Sequence, residues 1–232
     1  MRHGFIPLFY AVLGEMDRDA FAQVVEVLKK RYGNEPFPVH VADACAFKVL
    51  VGAVLSHRTR DEKTDEAYHN LFTWFNDPRD IASADVRTVA RLIKPVGFYR
   101  QKAKRIKQLA KIVYGKLGGR VPDNRAELLK LPGVGPKSAD IVLSIAFNRP
   151  EIAVDTHVET VAKRLGIADG KAGYEEVKKA LTTLSKPDDI RLINHLFVKF
   201  GREICRRPRP RCSLCPITEY CRYYREVIAP VS

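Results

Sequence analysis

A lysine and an aspartate are the side chains of this 232-residue chain best suited to covalent chemistry. Lys137 follows Pro136 at the predicted start of a helix, and Asp155 ends a short apolar run in the sequence IAVDTH. A lysine near the positive end of a helix and near other cations has its ammonium form disfavoured, which makes its amine a usable nucleophile. A nearby carboxylate could stabilise positive charge that develops on a sugar ring. Spacing alone nevertheless favours a simpler interpretation, in which Lys137 is one of 40 basic residues and Asp155 is an N-cap.

Four cysteines in the C-terminal part of the chain have the spacing of a metal site. The pattern is C-x6-C-x2-C-x5-C, formed by Cys205, Cys212, Cys215 and Cys221. Residues 1–16 contain no convincing signal peptide, so we expect reduced thiols that are available to a metal. The spacing alone leaves zinc and an iron–sulfur cluster as alternatives. The fifth cysteine, Cys45, lies in a helical pattern and is expected to be a buried core thiol.

The stretch LPGVGPKSAD, residues 131–140, predicts a glycine hairpin between two helices. Pro132 and Gly133 end one helical pattern, and Pro136 suits the first position of the next helix. The two glycines permit positive φ angles and the close approach of a ligand. Free backbone N–H groups and the positive helix dipole favour a phosphate, which would be held without regard to base sequence. The residues predicted to contact a nucleic-acid backbone here are Gly133, Val134, Gly135 and Ser138.

The motif LPGVGPKSAD followed by VDTH resembles the helix-hairpin-helix DNA glycosylase superfamily, and its endonuclease III branch is the closest match. The resemblance extends from about Phe47 to Tyr223. It implies that Lys137 is a nucleophile with Asp155 as its electrostatic partner, and that the four cysteines hold a [4Fe-4S] cluster. A lysine at this position further implies a bifunctional glycosylase with AP-lyase activity by β-elimination. The implied partner is double-stranded DNA that contains damaged bases, such as thymine glycol, or abasic sites.

Three other functions fit parts of the pattern. A monofunctional mismatch glycosylase would release a base without cutting the strand. A non-catalytic protein would use the hairpin and the cysteine loop only for structure-specific DNA binding. A zinc-binding interaction protein would be colourless, whereas an iron–sulfur protein is yellow-brown.

Three further segments are predicted to contact DNA. In LSHRTRDEKTD, residues 55–65, members of the resembled family have LSxQTxD, so Arg58 preceded by His57 stands where they have glutamine. Arg58 could stack in the gap left by an extruded base and donate to the orphaned partner. In the basic run after Gly97, Arg100 and Lys102 are expected to contact phosphate. Between the first two cysteines, a proline-stiffened loop forms a predicted phosphate clamp with Arg206, Arg207, Arg209 and Arg211.

Composition and periodicity set the fold class and the compartment. A formal net charge of +13 and a pI near 9.6 favour a polyanionic partner, and no apolar run reaches the length of a membrane span. We expect a cytoplasmic, nucleoid-associated monomer. Helical spacing throughout predicts an all-α fold. The resemblance further implies two helical lobes with a DNA-binding cleft. The expected domains are residues 39–149, with the hairpin, and residues 1–38 plus 150–232, with the cluster.

Overall fold

The computed structural model describes residues 16–42 and 45–230, and within this part of the chain there is no β-strand. The all-α prediction is confirmed. No helix of these residues is long and apolar enough to cross a membrane. The absence of a signal peptide was predicted on residues that, apart from Met16, lie outside the described ones. The α-helices of the described residues are α1 (Arg18–Tyr32), α2 (Ala46–Leu55), α3 (Asp61–Trp74), α4 (Pro78–Ser83), α5 (Val86–Leu92), α6 (Tyr99–Gly115), α7 (Arg125–Leu129), α8 (Pro136–Ala146), α9 (Thr156–Leu165), α10 (Tyr174–Leu184) and α11 (Ile190–Glu203).

The helices divide into two compact units. A central unit contains residues 35–155 and 190–195, and a second unit contains the described parts of residues 1–34, 156–189 and 196–232. The expected boundary after Arg149 differs from this division, which keeps residues 150–155 and the first residues of α11 with the central unit. The predicted cleft between two lobes stays a prediction.

Helix α2 is the buried centre of the central unit. Every residue from Val49 to Leu55 is buried, and α2 packs against α3, α6 and α8. A Cβ on Gly52 would lie 2.0 Å from the carbonyl oxygen of His40, so only glycine allows the turn Val39–Val41 to approach this closely. Because each fully buried aliphatic side chain contributes about 1.5–3 kcal/mol, α2 is a stable base for the loop that follows it.

The second unit is built on amphipathic helices. Helix α1 begins after Asp17, whose carboxylate accepts a hydrogen bond from the N–H of Ala20 at 2.8 Å. Its apolar face is buried, and the ring of Phe21 meets the ring of Phe197 edge-on with centroids 6.3 Å apart. Helix α1 packs on α10, which packs on α9. The chain leaves α11 at Glu203 and enters the loop that carries the four clustered cysteines.

Candidate active site and nucleic-acid interface

The predicted glycine hairpin joins α7 to α8. Gly133 has a φ of +81°, and the N–H of Val134 donates to the carbonyl oxygen of Leu131 at 3.2 Å. A Cβ on Gly133 would lie 3.1 Å from Cδ of Arg105, so the turn lies directly against α6. Gly135 has extended backbone with φ −102° and ψ −179°, so positive φ occurs at Gly133 alone of the two glycines. The side chain of Val134 is buried, and the contact of its backbone with DNA stays a prediction.

An ion pair fixes the two helices that flank the hairpin. Nε of Arg125 on α7 donates to Oδ1 of Asp140 on α8 at 2.8 Å, and the Asp140 side chain is fully buried. A buried carboxylate without a partner would be strongly destabilising, so this pair holds α7 against α8 in one arrangement. The hairpin between them is therefore presented by a fixed frame.

Lys137 and Ser138 lie in the first turn of α8. The N-cap Gly135 provides no side-chain cap and Pro136 has no N–H. The positive end of the helix dipole can therefore bind an external anion. The Lys137 side chain is half-buried. Ser138 is only 1% exposed, and its Oγ lies 2.9 Å from Nε2 of His57. Its hydroxyl is therefore enclosed and engaged by the histidine, and the contact of Ser138 with DNA through its backbone stays a prediction.

His57 connects the loop of residues 56–60 to the start of α8. Burial, and after it the positive charges of Lys137, Lys102 and Arg105, lower the pKa of His57 to about 4. The imidazole is consequently uncharged at neutral pH. It supports Ser138 through a hydrogen bond without adding a positive charge beside Lys137.

Lys102 is buried inside the central unit instead of facing a phosphate. Only 3% of the residue is exposed, and its Nζ donates to the carbonyl oxygens of Leu55 and His57, both at 2.7 Å, and to Oγ1 of Thr59 at 2.9 Å. Leu55 is the last residue of α2, so the ammonium satisfies carbonyls at the negative end of that helix. Burial, with repulsion by Arg105, lowers the pKa of Lys102 to about 8. The prediction that Lys102 contacts DNA is wrong, since its three N–H groups hold the loop of residues 56–60.

Two exposed residues with left-handed backbone lie on neighbouring loops. Arg58 has a φ of +50° and Phe98 a φ of +56°. The loops are close, because a Cβ on Gly97 would lie 3.4 Å from the carbonyl oxygen of Arg58. Positive φ is uncommon for residues with a Cβ and occurs often at functional positions. Phe98 is not among the residues predicted to contact DNA, although the sequence contains a signal for it, an aromatic residue in the turn before a basic helix.

Asp155 ends a buried segment immediately before α9. The preceding residues 152–154 are buried, and the carbonyl oxygen of Ala153 accepts a hydrogen bond from Nδ2 of Asn194 at 2.6 Å. Asp155 itself is half-buried, and it belongs with Lys137 to the central unit. Asn194 therefore anchors the segment that presents the aspartate, a role that nothing in the sequence pattern indicated.

The four clustered cysteines of the second unit line one pocket and form no disulfide. Nη1 of Arg164 donates to Sγ of Cys205 at 3.3 Å. Burial, together with repulsion from the other three thiols, raises the pKa of Cys215 to about 11, so a bound cation is needed to hold all four as thiolates. Within residues 16–42 and 45–230, no group of three or more His, Cys, Asp or Glu side chains is arranged to hold one metal ion. The four cysteines therefore line one pocket without being arranged as ligands of a single ion.

The fifth cysteine lies elsewhere. Cys45 is exposed at the N-cap of α2, so its expected burial is wrong.

The loop between the first two cysteines presents most of its arginines to solvent. Arg207, Arg209 and Arg211 are exposed, whereas Arg206 is half-buried. Nε of Arg206 is enclosed and has no hydrogen-bond partner within the described part of the chain. Three of the four arginines are thus accessible from solvent, and their contact with DNA stays a prediction.

Comparison with known proteins decides the family. A family model described as the HhH-GPD superfamily of base excision DNA repair proteins matches residues 51–187. Endonuclease III of Thermotoga maritima is 44% identical over 189 residues, which cover 82% of this chain and 88% of that protein. The chain belongs to the endonuclease III family. It is accordingly a base-excision-repair DNA glycosylase with associated AP-lyase activity.

Solved structures of the family agree with the fold. A trapped endonuclease III–DNA covalent intermediate, an estranged-adenine complex, has a TM-score of 0.84 and 31% identity, covering 92% of this chain and 99% of that one. A thermostable thymine-DNA glycosylase has a TM-score of 0.80 and 26% identity, covering 90% of this chain and 97% of that one. The all-α architecture is therefore that of endonuclease III, and a thymine-DNA glycosylase shares it.

Proposed function

We propose that this protein releases oxidised pyrimidines, such as thymine glycol, from double-stranded DNA and cleaves the strand at abasic sites. The supporting observation is the setting of Lys137, which is half-buried at the uncapped N-terminal end of α8 and near the uncharged imidazole of His57. A phosphate held at that helix end would bring the sugar of a damaged nucleotide to the lysine amine. The enzyme would act as a monomer in the cytoplasm, on the DNA of the nucleoid.

The reaction begins with attack of the neutral Nζ of Lys137 on C1′ of the damaged nucleotide. The bond between C1′ and the base breaks, and the base takes up a proton as it leaves. Opening of the sugar ring gives a Schiff base between Nζ and C1′. Loss of a proton from C2′ then breaks the C3′–O bond by β-elimination, and hydrolysis releases the lysine. The carboxylate of Asp155 stabilises positive charge on the sugar and assists the proton transfers.

The loops around Lys137 support extrusion of the damaged base. Arg58 is exposed on a loop that Lys102 holds against α2, so its guanidinium can enter the gap in the duplex, stack there and donate to the unpaired base. Phe98, 59% exposed on the neighbouring loop, can stack on the same strands. The backbone of Gly133 and Gly135 at the hairpin would hold the phosphates of the extruded nucleotide.

We further propose that the pocket lined by the four cysteines of the second unit holds a [4Fe-4S] cluster. Four cysteines line one pocket, and four cysteine thiolates are the ligand set of such a cluster. The Arg164 guanidinium, which donates to Sγ of Cys205 and lines the pocket, would offset part of the thiolate charge. When bound, the cluster supplies a rigid cross-link of the loop, which would support its exposed arginines as a phosphate clamp.

Iron content tests the cluster. We expect the purified wild-type protein to be yellow-brown with about four iron atoms per chain, and the Cys215→Ser variant to lose iron and colour because one thiolate ligand is missing. Cys45→Ser is the matched control and should keep its iron, since Cys45 is exposed at the N-cap of α2. Colourless protein with zinc in place of iron would contradict the proposal.

The substrate proposal is tested with duplexes that differ in one base pair. We expect wild-type protein to release thymine glycol and cut the same strand, with undamaged duplex as the control. The similarity to a thymine-DNA glycosylase makes a G·T mismatch duplex the informative comparison. Base release from the mismatch without strand cleavage, and no action on thymine glycol, would overturn the proposal in favour of a monofunctional mismatch glycosylase.

A further inference from the structure

Five cationic side chains of the central unit surround one cavity of about 400 Å³. We call this cavity the α5–α6 pocket. Its walls also contain Val86, Ala90 and Tyr99. No carboxylate lines the pocket, and its cationic residues are Arg87, Arg91, Lys94, Arg100 and Lys104.

Helical spacing makes these cations converge. Arg87 and Arg91 are four residues apart on α5, and Arg100 and Lys104 are four residues apart on α6, so each pair shares one helix face. Helix α5 packs on α6, which brings the two faces to one cavity. Lys102, near the opposite side of α6, is buried among the core residues. The pocket is therefore on the outer side of a helix whose inner side is fixed.

The pocket lacks the negative charge that would normally balance it. Within the described residues, none of its five cations forms an ion pair with a carboxylate. Like charges that converge on one concave site repel each other unless an anion binds there. The N-terminal end of α6 adds a further positive partial charge, because its N-cap Phe98 supplies no side-chain hydrogen bond. Arg100 is held over the Tyr99 ring at 5.5 Å from its centroid, which limits its freedom.

We propose that the α5–α6 pocket binds phosphodiester groups of the DNA that flanks the lesion, as a backbone-binding site separate from the glycine hairpin. This inference rests on the proposed function. Helix α6 is common to both sites, since Arg105 packs against Gly133 while Arg100 and Lys104 line the pocket. Exposed Phe98 is the N-cap of α6, two residues before Arg100, so a strand that stacks on Phe98 would continue into the pocket. Arginine forks bind phosphate oxygens in pairs and read no base, which suits flanking DNA of any sequence.

The test is the affinity of the full-length protein for a duplex with a stable abasic-site analogue, measured over a range of salt concentrations. The triple variant Arg87→Gln, Arg91→Gln, Lys94→Gln should bind at least about tenfold more weakly. Its slope of log K against log salt concentration should be less negative than that of wild-type protein by about two. The double variant Arg100→Gln, Lys104→Gln removes cations from the other wall and should weaken binding in the same way. Thermal melting of each variant establishes that it is folded.

A control with the same loss of charge separates this site from a general effect of net charge. Lys111→Gln, Lys116→Gln, Arg120→Gln removes three exposed cations from the C-terminal half of α6 and beyond it. Equal weakening by the control, or unchanged affinity in the pocket variants, would overturn the proposal. A pocket-dependent rise in melting temperature with inorganic phosphate, but without loss of DNA affinity, would assign the site to a free anion and would also overturn it. Because the analogue needs no turnover, the result can be read even if wild-type protein fails to act on thymine glycol.

Discussion

Replacement of Lys137 by glutamine is expected to abolish covalent trapping of the protein on DNA. Borohydride reduces a Schiff base to a stable adduct, so wild-type protein incubated with an abasic-site duplex should give a protein–DNA complex that survives denaturing electrophoresis. The glutamine amide cannot form a Schiff base, and the rate of strand cleavage should fall about a thousandfold or more. DNA affinity should change by only a few-fold, because the hairpin backbone is unaltered.

Two comparisons make the Lys137→Gln result decisive. Lys116→Gln removes an exposed lysine at the end of α6 and should trap as efficiently as wild-type protein. An adduct that persists in Lys137→Gln would show that another amine is the nucleophile. Base release without an adduct in either protein would support the monofunctional alternative.

Replacement of Lys102 by methionine is expected to be strongly destabilising. The ammonium donates three hydrogen bonds to Leu55, His57 and Thr59, and methionine would leave the carbonyls of Leu55 and His57 without this donor. We expect a loss of about 2–4 kcal/mol in the free energy of unfolding, measured by urea denaturation at pH 7. Lys104→Met is the matched control on the exposed side of α6, and it should change stability by no more than about 0.5 kcal/mol.

The pH dependence identifies the buried ammonium as the cause. Burial and repulsion by Arg105 lower the pKa of folded Lys102 from 10.5 to about 8. Between these pH values Lys102 keeps its proton in the unfolded chain but has released it in the folded chain. The free energy of unfolding of wild-type protein therefore gains a contribution that rises with pH. The difference in unfolding free energy between wild type and Lys102→Met should therefore widen from pH 8 towards pH 10.5. A constant difference over that range would mean that Lys102 contributes only by packing.

Local patterns in the sequence were sufficient for the helices and for the hairpin. Helix α8 begins at Pro136, the predicted first position, because proline and glycine fix its start through short-range backbone geometry. The cysteine spacing brought four thiols to one pocket, since the loop between them is short.

Only the tertiary structure decided which polar residues of these segments face inward. Lys102 lies in the same basic run as Arg100, yet one residue is buried and the other exposed, because two positions along a helix are about 200° apart. The buried direction depends on where α2 ends, and no local pattern contains that information. The same holds for Ser138 with His57 and for Arg58 near Gly97, which are distant in sequence and meet only through the packing of α2, α6 and α8. The sequence by itself determined the chemistry available to this protein, and tertiary packing determined which residues can reach a substrate.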